Sequence, residues 1–317
     1  MKTMSRIVFL GTPDFSVPAL NKLINSRHDV VLVITQKDKQ RGRGKKLEKT
    51  PVKTVAENNG IEVFQPSNIN TKESIQKISG FRPDYLVVVA YGQILSPDLL
   101  KIPRIDSLNI HASLLPKYRG AAPINWAIIN GETCSGISIM RIERGLDSGP
   151  VYTQKTTQIH NHMTAGELHD KLKEMGADLL VETIEKIEIA GIKPKIQDHD
   201  QATYAPMLTK EMSHINWNFD CKSVVNRVRG LEPWPGSVIF YKRKRIKIYE
   251  AAAINEPHQY LPGTVTNMTD DTIWIACRTG YVAIHELQME GKKRMKVNEF
   301  NKGNRIEIGY RIGEEVL

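Results

Sequence analysis

The chain has 317 residues, of which 40% are apolar and 25% are charged. This composition excludes a disordered or fibrous protein, and a chain of this length typically forms about two domains. The longest apolar run, residues 86–91, is far shorter than the ~20 residues of a membrane span. The short apolar run near the start is too brief for a signal peptide. We therefore expect a cytoplasmic protein with no membrane partner.

The cysteines and histidines give no sign of a disulfide framework or a metal site. Cys134, Cys221 and Cys277 lie far apart in the sequence and show no CxxC spacing, so they are expected to be small buried apolar residues. His160 and His162 form a close pair, but neither a cysteine nor an HExxH pattern lies beside them. We expect no bound metal.

The positive charge is concentrated in two short runs. The net charge is +9, and residues 36–53 contain eight Lys or Arg residues against only Asp38 and Glu48. A second basic run, YKRKRIK, occupies residues 241–247. One such run is most often a solvated loop or strand edge. Two runs, far apart in the chain, favour an extended anionic partner such as RNA.

The first part of the chain alternates between predicted strands and helices. Residues 6–11 are an apolar run ending at a Gly-Thr-Pro turn, and apolar residues at helical spacing follow. Valine-rich runs at 29–35 and 85–90 are typical of strands buried on both faces of a parallel sheet. This alternation predicts an α/β domain with a Rossmann-like open, mostly parallel sheet. The other predicted elements are helices at 50–59, 71–79, 121–131 and 164–189, and strands at 107–111 and 136–143.

The last third of the chain has a different pattern. Residues 193–207 are polar, contain proline and lack periodicity, so we predict a linker there. Short strand-like segments separated by turns follow, which predicts a smaller OB-like β-barrel domain. The predicted domains are 1–192 and 208–317. The turn after the first strand lacks a GxGxxG pattern and no Walker A motif occurs, so an NAD or ATP site is not expected.

Polar residues follow two successive strands of the predicted sheet. Asn109 and His111 end one strand, and Asp147 lies in the loop after the next; ligands bind at such strand ends. The amide can donate to an oxyanion, the imidazole can move a proton, and the carboxylate can fix its tautomer or accept that proton. This set suits acyl transfer without a covalent nucleophile, because Ser113 lacks a GxSxG elbow. Taken singly, such residues are more often structural.

Four stretches resemble the 10-formyltetrahydrofolate-dependent formyltransferase family. They are FLGTPDFSVPAL at 9–20, NIHASLLPKYRGAAPI at 109–124, GLDSGP at 145–150 and GLEPWPGS at 230–237. GRGKKL at 42–47 and the PWPG within the last stretch resemble the members that act on tRNA. The resemblance runs through nearly the whole chain. One departure is QKDKQR before GRGKKL, where family members often carry a proline-rich segment.

The resemblance implies a reaction and a set of site residues. It implies transfer of the formyl group of 10-formyltetrahydrofolate to the α-amine of initiator methionyl-tRNA, for translation initiation, by direct attack through a tetrahedral intermediate. It also implies a C-terminal tRNA-binding domain, and we expect a monomer. Asn109, His111 and Asp147 match the catalytic trio. The implied folate contacts are Ser113, Leu114, Leu115, Pro116, Ile94 and Leu95, and the implied tRNA contacts are Arg41, Arg43, Lys45 and Lys46.

Two alternatives remain open from the residues alone. The trio and the SLLP stretch do not identify the acceptor amine, so a folate-dependent formyltransferase acting on glycinamide ribonucleotide or an amino sugar nucleotide is the nearest rival. The basic segment and the second domain argue against it. A non-catalytic RNA-binding protein on a formyltransferase scaffold is the more distant rival, and the presence of all three trio residues argues against that.

Overall fold

The computed structural model describes residues 4–41 and 46–313. These residues form two compact units. The first comprises the chain as far as Gly120, Ser135–Thr157 and His169–Tyr204; the second comprises Ala121–Cys134, Gln158–Leu168 and the chain from Ala205 onward. Most of the predicted linker, 193–207, therefore groups with the first unit. The ranges 1–192 and 208–317 stay predictions.

The elements are numbered in chain order. The strands are β1 (Arg6–Gly11), β2 (Asp29–Ile34), β3 (Lys39–Arg41), β4 (Lys46–Glu48), β5 (Val63–Phe64), β6 (Tyr85–Val89), β7 (Asp106–His111), β8 (Arg119–Gly120), β9 (Cys134–Arg141), β10 (Val151–Gln158), β11 (Tyr204–Ala205), β12 (Ser237–Tyr241), β13 (Lys244–Ile254), β14 (Val265–Met268), β15 (Ile273–Ala276), β16 (Tyr281–Met289) and β17 (Met295–Lys296). The α-helices are α1 (Val17–Ile24), α2 (Pro51–Asn58), α3 (Lys72–Gly80), α4 (Pro97–Leu100), α5 (Pro123–Ile129), α6 (Ala165–Ala190), α7 (Cys221–Gly230) and α8 (Val297–Asn301). Short 3₁₀ helices occupy Asp14–Ser16, His199–Gln201 and Lys210–Ser213. Within the described part of the chain, no helix has the length and apolar character needed to cross a membrane.

The first unit is built on a seven-stranded sheet in the order β10-β9-β7-β6-β1-β2-β5. β1 pairs in parallel with β2 and β6, β2 with β5, and β6 with β7. The predicted mostly parallel sheet is confirmed; β9 is the departure, because it runs antiparallel to β7. The chain extends from β1 toward β5 on one side and resumes on the other side at β6. The carboxyl ends of β1 and β6 thus flank a topological switch point, where open α/β sheets bind ligands.

Local sequence explains where the helices of this unit begin. Thr50 and Thr71 each accept a hydrogen bond through the side chain from the backbone N–H three residues later, at 3.2 Å in both cases. Such caps satisfy N–H groups that a helix leaves free at its start. All five residues of β6 are buried, as its valine-rich sequence predicts for a central strand.

The second unit is a curled antiparallel half-barrel. Its strand order is β12-β13-β16-β15-β14, with β17 paired to β16. The pairing of β13 with β16 shifts register on both sides of Glu250, and bulges of this kind bend a sheet. Cys221 and Cys277 are buried and Cys134 is half-buried, all as free thiols. Burial raises the pKa of Cys277 to about 12, so this thiol is inert near neutral pH.

Candidate active site

The predicted polar residues come together at the carboxyl ends of the central strands. Asn109 and His111 are two residues apart on β7 and therefore point to the same face. Asp147 reaches them from the loop after β9: its Oδ2 atom lies 3.7 Å from Nδ1 of His111. The side chains of His111 and Asp147 are 7% and 20% exposed. Asn109 and Asp147 line the same cavity.

The ring of His111 is oriented by a backbone carbonyl. Its Nε2 atom lies 2.9 Å from the carbonyl oxygen of Tyr118. A carbonyl oxygen can only accept, so Nε2 carries the proton and donates it. Nδ1 is then the ring nitrogen that faces Asp147 and is available for chemistry. The sequence suggested that Asp147 could fix the tautomer, whereas the structure gives that role to Tyr118.

Asp147 sits in a turn with an unusual backbone conformation. Its φ is 47°, and that of Tyr118 is 58°, in the left-handed region that non-glycine residues seldom occupy. The carboxylate Oδ2 accepts a 2.8 Å hydrogen bond from the N–H of Gly120. Strained backbone of this kind clusters at functional sites, where the surrounding structure holds it in place.

A cavity of about 730 Å³ adjoins these residues, a volume typical of small-molecule sites. Two of its apolar side chains are unusually open to solvent: Ile94 is 90% exposed and Leu146 is 60% exposed. Exposed apolar surface beside polar groups is typical of a ligand site. The lining residues are Asn70, Val88, Gln93, Ile94, Leu95, Ser96, Pro97, Leu100, Asn109, Met140, Ile142, Glu143, Arg144, Gly145, Leu146 and Asp147.

The loop that carries Ile94 is held in place by the hydrogen bonds of two amide side chains. Asn70 donates through Nδ2 to the carbonyl of Ile94 and accepts through Oδ1 from the N–H of Ser96, both at 2.8 Å. Gln93 accepts from the N–H of Ile69 at 3.0 Å. These bonds hold the exposed Ile94 in position as one wall of the cavity. The sequence alone does not reveal these roles of Asn70 and Gln93, because their partners are backbone atoms more than 20 residues away.

The SLLP segment, residues 113–116, is held by neighbouring strands. Ser113 is 1% exposed and donates through Oγ to the carbonyl of Lys117 at 2.6 Å. Ser138 on β9 donates to the carbonyl of Ser113 at 2.7 Å, and Gln154 on β10 donates to that of Leu115 at 2.9 Å. Residues 113–116 are not among the described residues that line the cavity, whereas Ile94 and Leu95 are. The folate contacts of all six remain a prediction.

The basic segment is a hairpin whose two strands are β3 and β4. At its base, the Asp38 carboxylate accepts from Lys53 Nζ at 2.7 Å and from Gln65 Nε2 at 2.8 Å. These hydrogen bonds hold the pKa of Asp38 below its usual value. Arg41 ends β3 and Lys46 begins β4, while the predicted contacts Arg43 and Lys45 lie outside the described residues.

Comparison with known proteins identifies the family. Residues 5–184 match the model of the family described as formyl transferase, and residues 207–305 match its C-terminal domain. The chain belongs to the formyl transferase family.

Within that family the chain groups with the methionyl-tRNA formyltransferases. It is 46% identical to the methionyl-tRNA formyltransferase of Acetivibrio thermocellus, over 98% of this chain and 100% of the relative. Identity to that of Clostridium acetobutylicum is 48%, over 96% and 99% of the two chains. The fold is also similar to an N-formyltransferase from Helicobacter canadensis in complex with folinic acid and dTDP-3-aminofucose, with a TM-score of 0.66, 19% identity and coverage of 92% and 100%.

Proposed function

We infer that the chain transfers the formyl group of 10-formyltetrahydrofolate to the α-amine of methionyl initiator tRNA. The observation that carries this inference is the position of Asn109 and Asp147 on the wall of one cavity, with the His111 ring 3.7 Å from Asp147. The full-length relatives named methionyl-tRNA formyltransferase support the choice of acceptor. The reaction produces the formylated methionyl-tRNA used in translation initiation.

The cavity fits a flat, partly apolar co-substrate such as a folate. Ile94 and Leu146 offer exposed apolar surface, and Asn109 and Asp147 offer polar groups on the same wall. We propose that Ile94 and Leu95 hold the folate and that the SLLP segment, residues 113–116, also contacts it. When bound, 10-formyltetrahydrofolate supplies a formyl carbon attached to a nitrogen leaving group.

Each member of the trio has one task in the proposed mechanism. Asn109 donates its amide N–H to the formyl oxygen, which gains negative charge as the α-amine attacks. His111 takes part through Nδ1, the ring nitrogen that can accept a proton, because its Nε2–H is bound to the carbonyl of Tyr118. Asp147 orients an ordered water and accepts the proton that the amine loses, and this proton is then delivered to the departing nitrogen. The new C–N bond thus replaces the old one without a covalent enzyme intermediate, and no metal takes part.

A competition between acceptors tests the assignment. Purified protein and 10-formyltetrahydrofolate are mixed in single-turnover reactions with methionyl initiator tRNA, glycinamide ribonucleotide or an amino sugar nucleotide. We expect formylated methionyl-tRNA and no other product. Preferred formylation of another acceptor would support the nearest rival, and tRNA binding without formylation would support a non-catalytic RNA-binding protein.

We propose that the second unit is an OB-like tRNA-binding domain and that its basic run forms part of the RNA-binding surface. The chain turns between β12 and β13 at Lys242 and Arg243, both at positive φ, in a hairpin turn typical of adjacent strands. The N–H of Glu290 donates to the carbonyl of Arg245, so the β16–β17 turn, with Lys292 and Lys293, adjoins the same edge. Two distant segments thus form one basic edge that suits a phosphate backbone. Monomeric state and cytoplasmic location remain predictions of the sequence.

The basic hairpin should contribute to tRNA affinity through phosphate contacts. If Arg41, Arg43, Lys45 and Lys46 make about four such contacts, the logarithm of the association constant falls with log[salt] at a slope of roughly −3 to −4. Replacing Arg43 and Lys45 by glutamine should reduce that slope by up to about two units and leave folate binding unchanged. Titrations of tRNA at several salt concentrations measure this change.

A charge-matched variant controls for net charge alone. Lys72 and Lys101 are surface lysines of α3 and of the segment after α4. Replacing both by glutamine also removes two positive charges. We expect this variant to keep the wild-type slope. If the salt slope decreased equally in both double variants, the basic hairpin would be an ordinary solvated loop without a specific role in tRNA binding.

A further inference from the structure

Gln197 connects a distant part of the chain to the loop that carries Asp147. It lies after α6, in the segment that the sequence predicts to be a linker, yet it is only 6% exposed. Its Nε2 atom donates to two backbone carbonyls of the loop, to Asp147 at 2.8 Å and to Gly149 at 2.6 Å. One buried amide therefore holds the loop on both sides of Ser148.

The orientation of this amide is determined by Arg119. The Oε1 atom of Gln197 accepts from Arg119 Nε at 3.1 Å and from a terminal guanidinium nitrogen at 2.7 Å. A guanidinium can only donate, so Oε1 must face Arg119 and Nε2 must face the loop. The same guanidinium nitrogen donates to Nδ1 of His199 at 3.0 Å. Arg119 is 4% exposed and is thus a rigid base for Gln197.

The two ends of Asp147 are attached to the same support. Its peptide carbonyl is bound by Gln197, and its carboxylate accepts from the N–H of Gly120, which directly follows Arg119. These bonds act on a residue whose φ is 47°, a conformation that persists only when its surroundings hold it. Loss of either attachment allows the turn to relax.

We propose that Gln197, held by Arg119, is a positioning residue that keeps the Asp147 carboxylate at His111 in the geometry needed for proton transfer. The expected effect on kcat rests on the proposed function, whereas the structural role of Gln197 in the loop does not. The hydrogen bonds of the Gln197 side chain reach Asp147 but no other described residue that lines the cavity. Its loss should therefore reduce the chemical step more than co-substrate binding, because misplacement by about 1 Å can cost 10²-fold in rate.

The test compares three single variants. Gln197→Met keeps the size of the side chain and removes its hydrogen bonds, whereas Gln197→Glu keeps an acceptor for Arg119 but removes both donors to the loop. We expect each to lower kcat about 10- to 100-fold and to change the KM for 10-formyltetrahydrofolate less than about threefold. Gln201→Met is the matched control, because the exposed Gln201 side chain donates to Asp198 in the same short segment, and the kcat of this variant should stay within about twofold of wild type.

Two further measurements separate positioning from a general effect on folding. In an Asp147→Asn background, Gln197→Met should lower kcat by less than about threefold, because a residue that acts through Asp147 has little left to position. Amide exchange of Gly120, measured by NMR, should accelerate in Gln197→Met but not in Gln201→Met. Full additivity in the double variant, or unchanged kcat in both Gln197 variants, would overturn the proposal.

The exchange measurement does not depend on the reaction. If the wild-type protein fails to formylate methionyl-tRNA, the proposed function is wrong, while faster Gly120 exchange in Gln197→Met would still show that Gln197 positions the loop. If formylation is normal and the exchange of Gly120 is unchanged in that variant, the positioning role of Gln197 is refuted and the proposed function stands.

Discussion

Replacing Asp147 by asparagine should lower kcat by about 10²- to 10⁴-fold, the loss expected when an acid–base group is removed. Asparagine is the informative choice because, unlike alanine, it tolerates the left-handed backbone at this position, where φ is 47°. Its Oδ1 atom can also keep the hydrogen bond from Gly120. The variant therefore removes the charge and basicity of the carboxylate with little change in the loop.

The other trio members should give losses in the same range for different reasons. Asn109→Ala removes the donor to the developing oxyanion, and His111→Ala removes the ring whose Nδ1 faces Asp147. Steady-state formylation of methionyl-tRNA gives kcat and KM, while thermal unfolding shows that each variant is folded. Asp178→Asn is the control, since Asp178 pairs with Lys22 on the surface and should leave kcat within about twofold. Near-normal kcat in all three folded variants would show that Asn109, His111 and Asp147 are not the catalytic residues.

The parts of the fold that could be predicted are those whose sequence carries a strong apolar pattern. β6 is a continuous apolar run, and all of its residues are buried. The sequence of β10, VYTQKTTQ, does not predict a strand, because it is mainly polar and shows no apolar alternation. The sequences of β3 and β4 do not predict strands either, because they are mostly charged and are typical of a loop. Their pairing is a property of the folded hairpin.

The site shows the same division between local and distant determinants. Asn109 and His111 could be predicted to point the same way because two-residue spacing on a strand requires it. The rule that loops after parallel strands meet at one edge does not account for Asp147, because β9 runs antiparallel to β7. The loop after β9 comes back to His111 and Gly120 only through tertiary contacts. Gln197 could not be predicted either, because it contacts Arg119 across 78 residues of sequence and carries no motif. Tyr118 acts through its backbone carbonyl, which no side-chain pattern reveals.

The second large effect is expected from a single added methyl group, in the variant Gly149→Ala. A Cβ atom at Gly149 would lie 2.1 Å from the carbonyl oxygen of Arg141, which is backbone and cannot rotate away. Either the loop or the end of β9 must move, and overpacking of this kind typically costs about 1–3 kcal/mol. Because Gly149 also accepts from Gln197, the displaced loop would carry Asp147 with it. We therefore expect lower stability and a fall in kcat that persists at temperatures where the variant is fully folded.

The same substitution at Gly80 supplies the control. Gly80 ends α3, and a Cβ atom there would meet no other atom within 4 Å. Gly80→Ala should leave kcat unchanged and raise stability by up to about 1 kcal/mol, since alanine has the better helix propensity and reduces the entropy of the unfolded chain. Urea unfolding of both variants measures the two free energies of unfolding. A Gly149→Ala protein as stable and active as wild type would show that the loop after β9 yields freely, and rigid positioning of Asp147 would then be untenable.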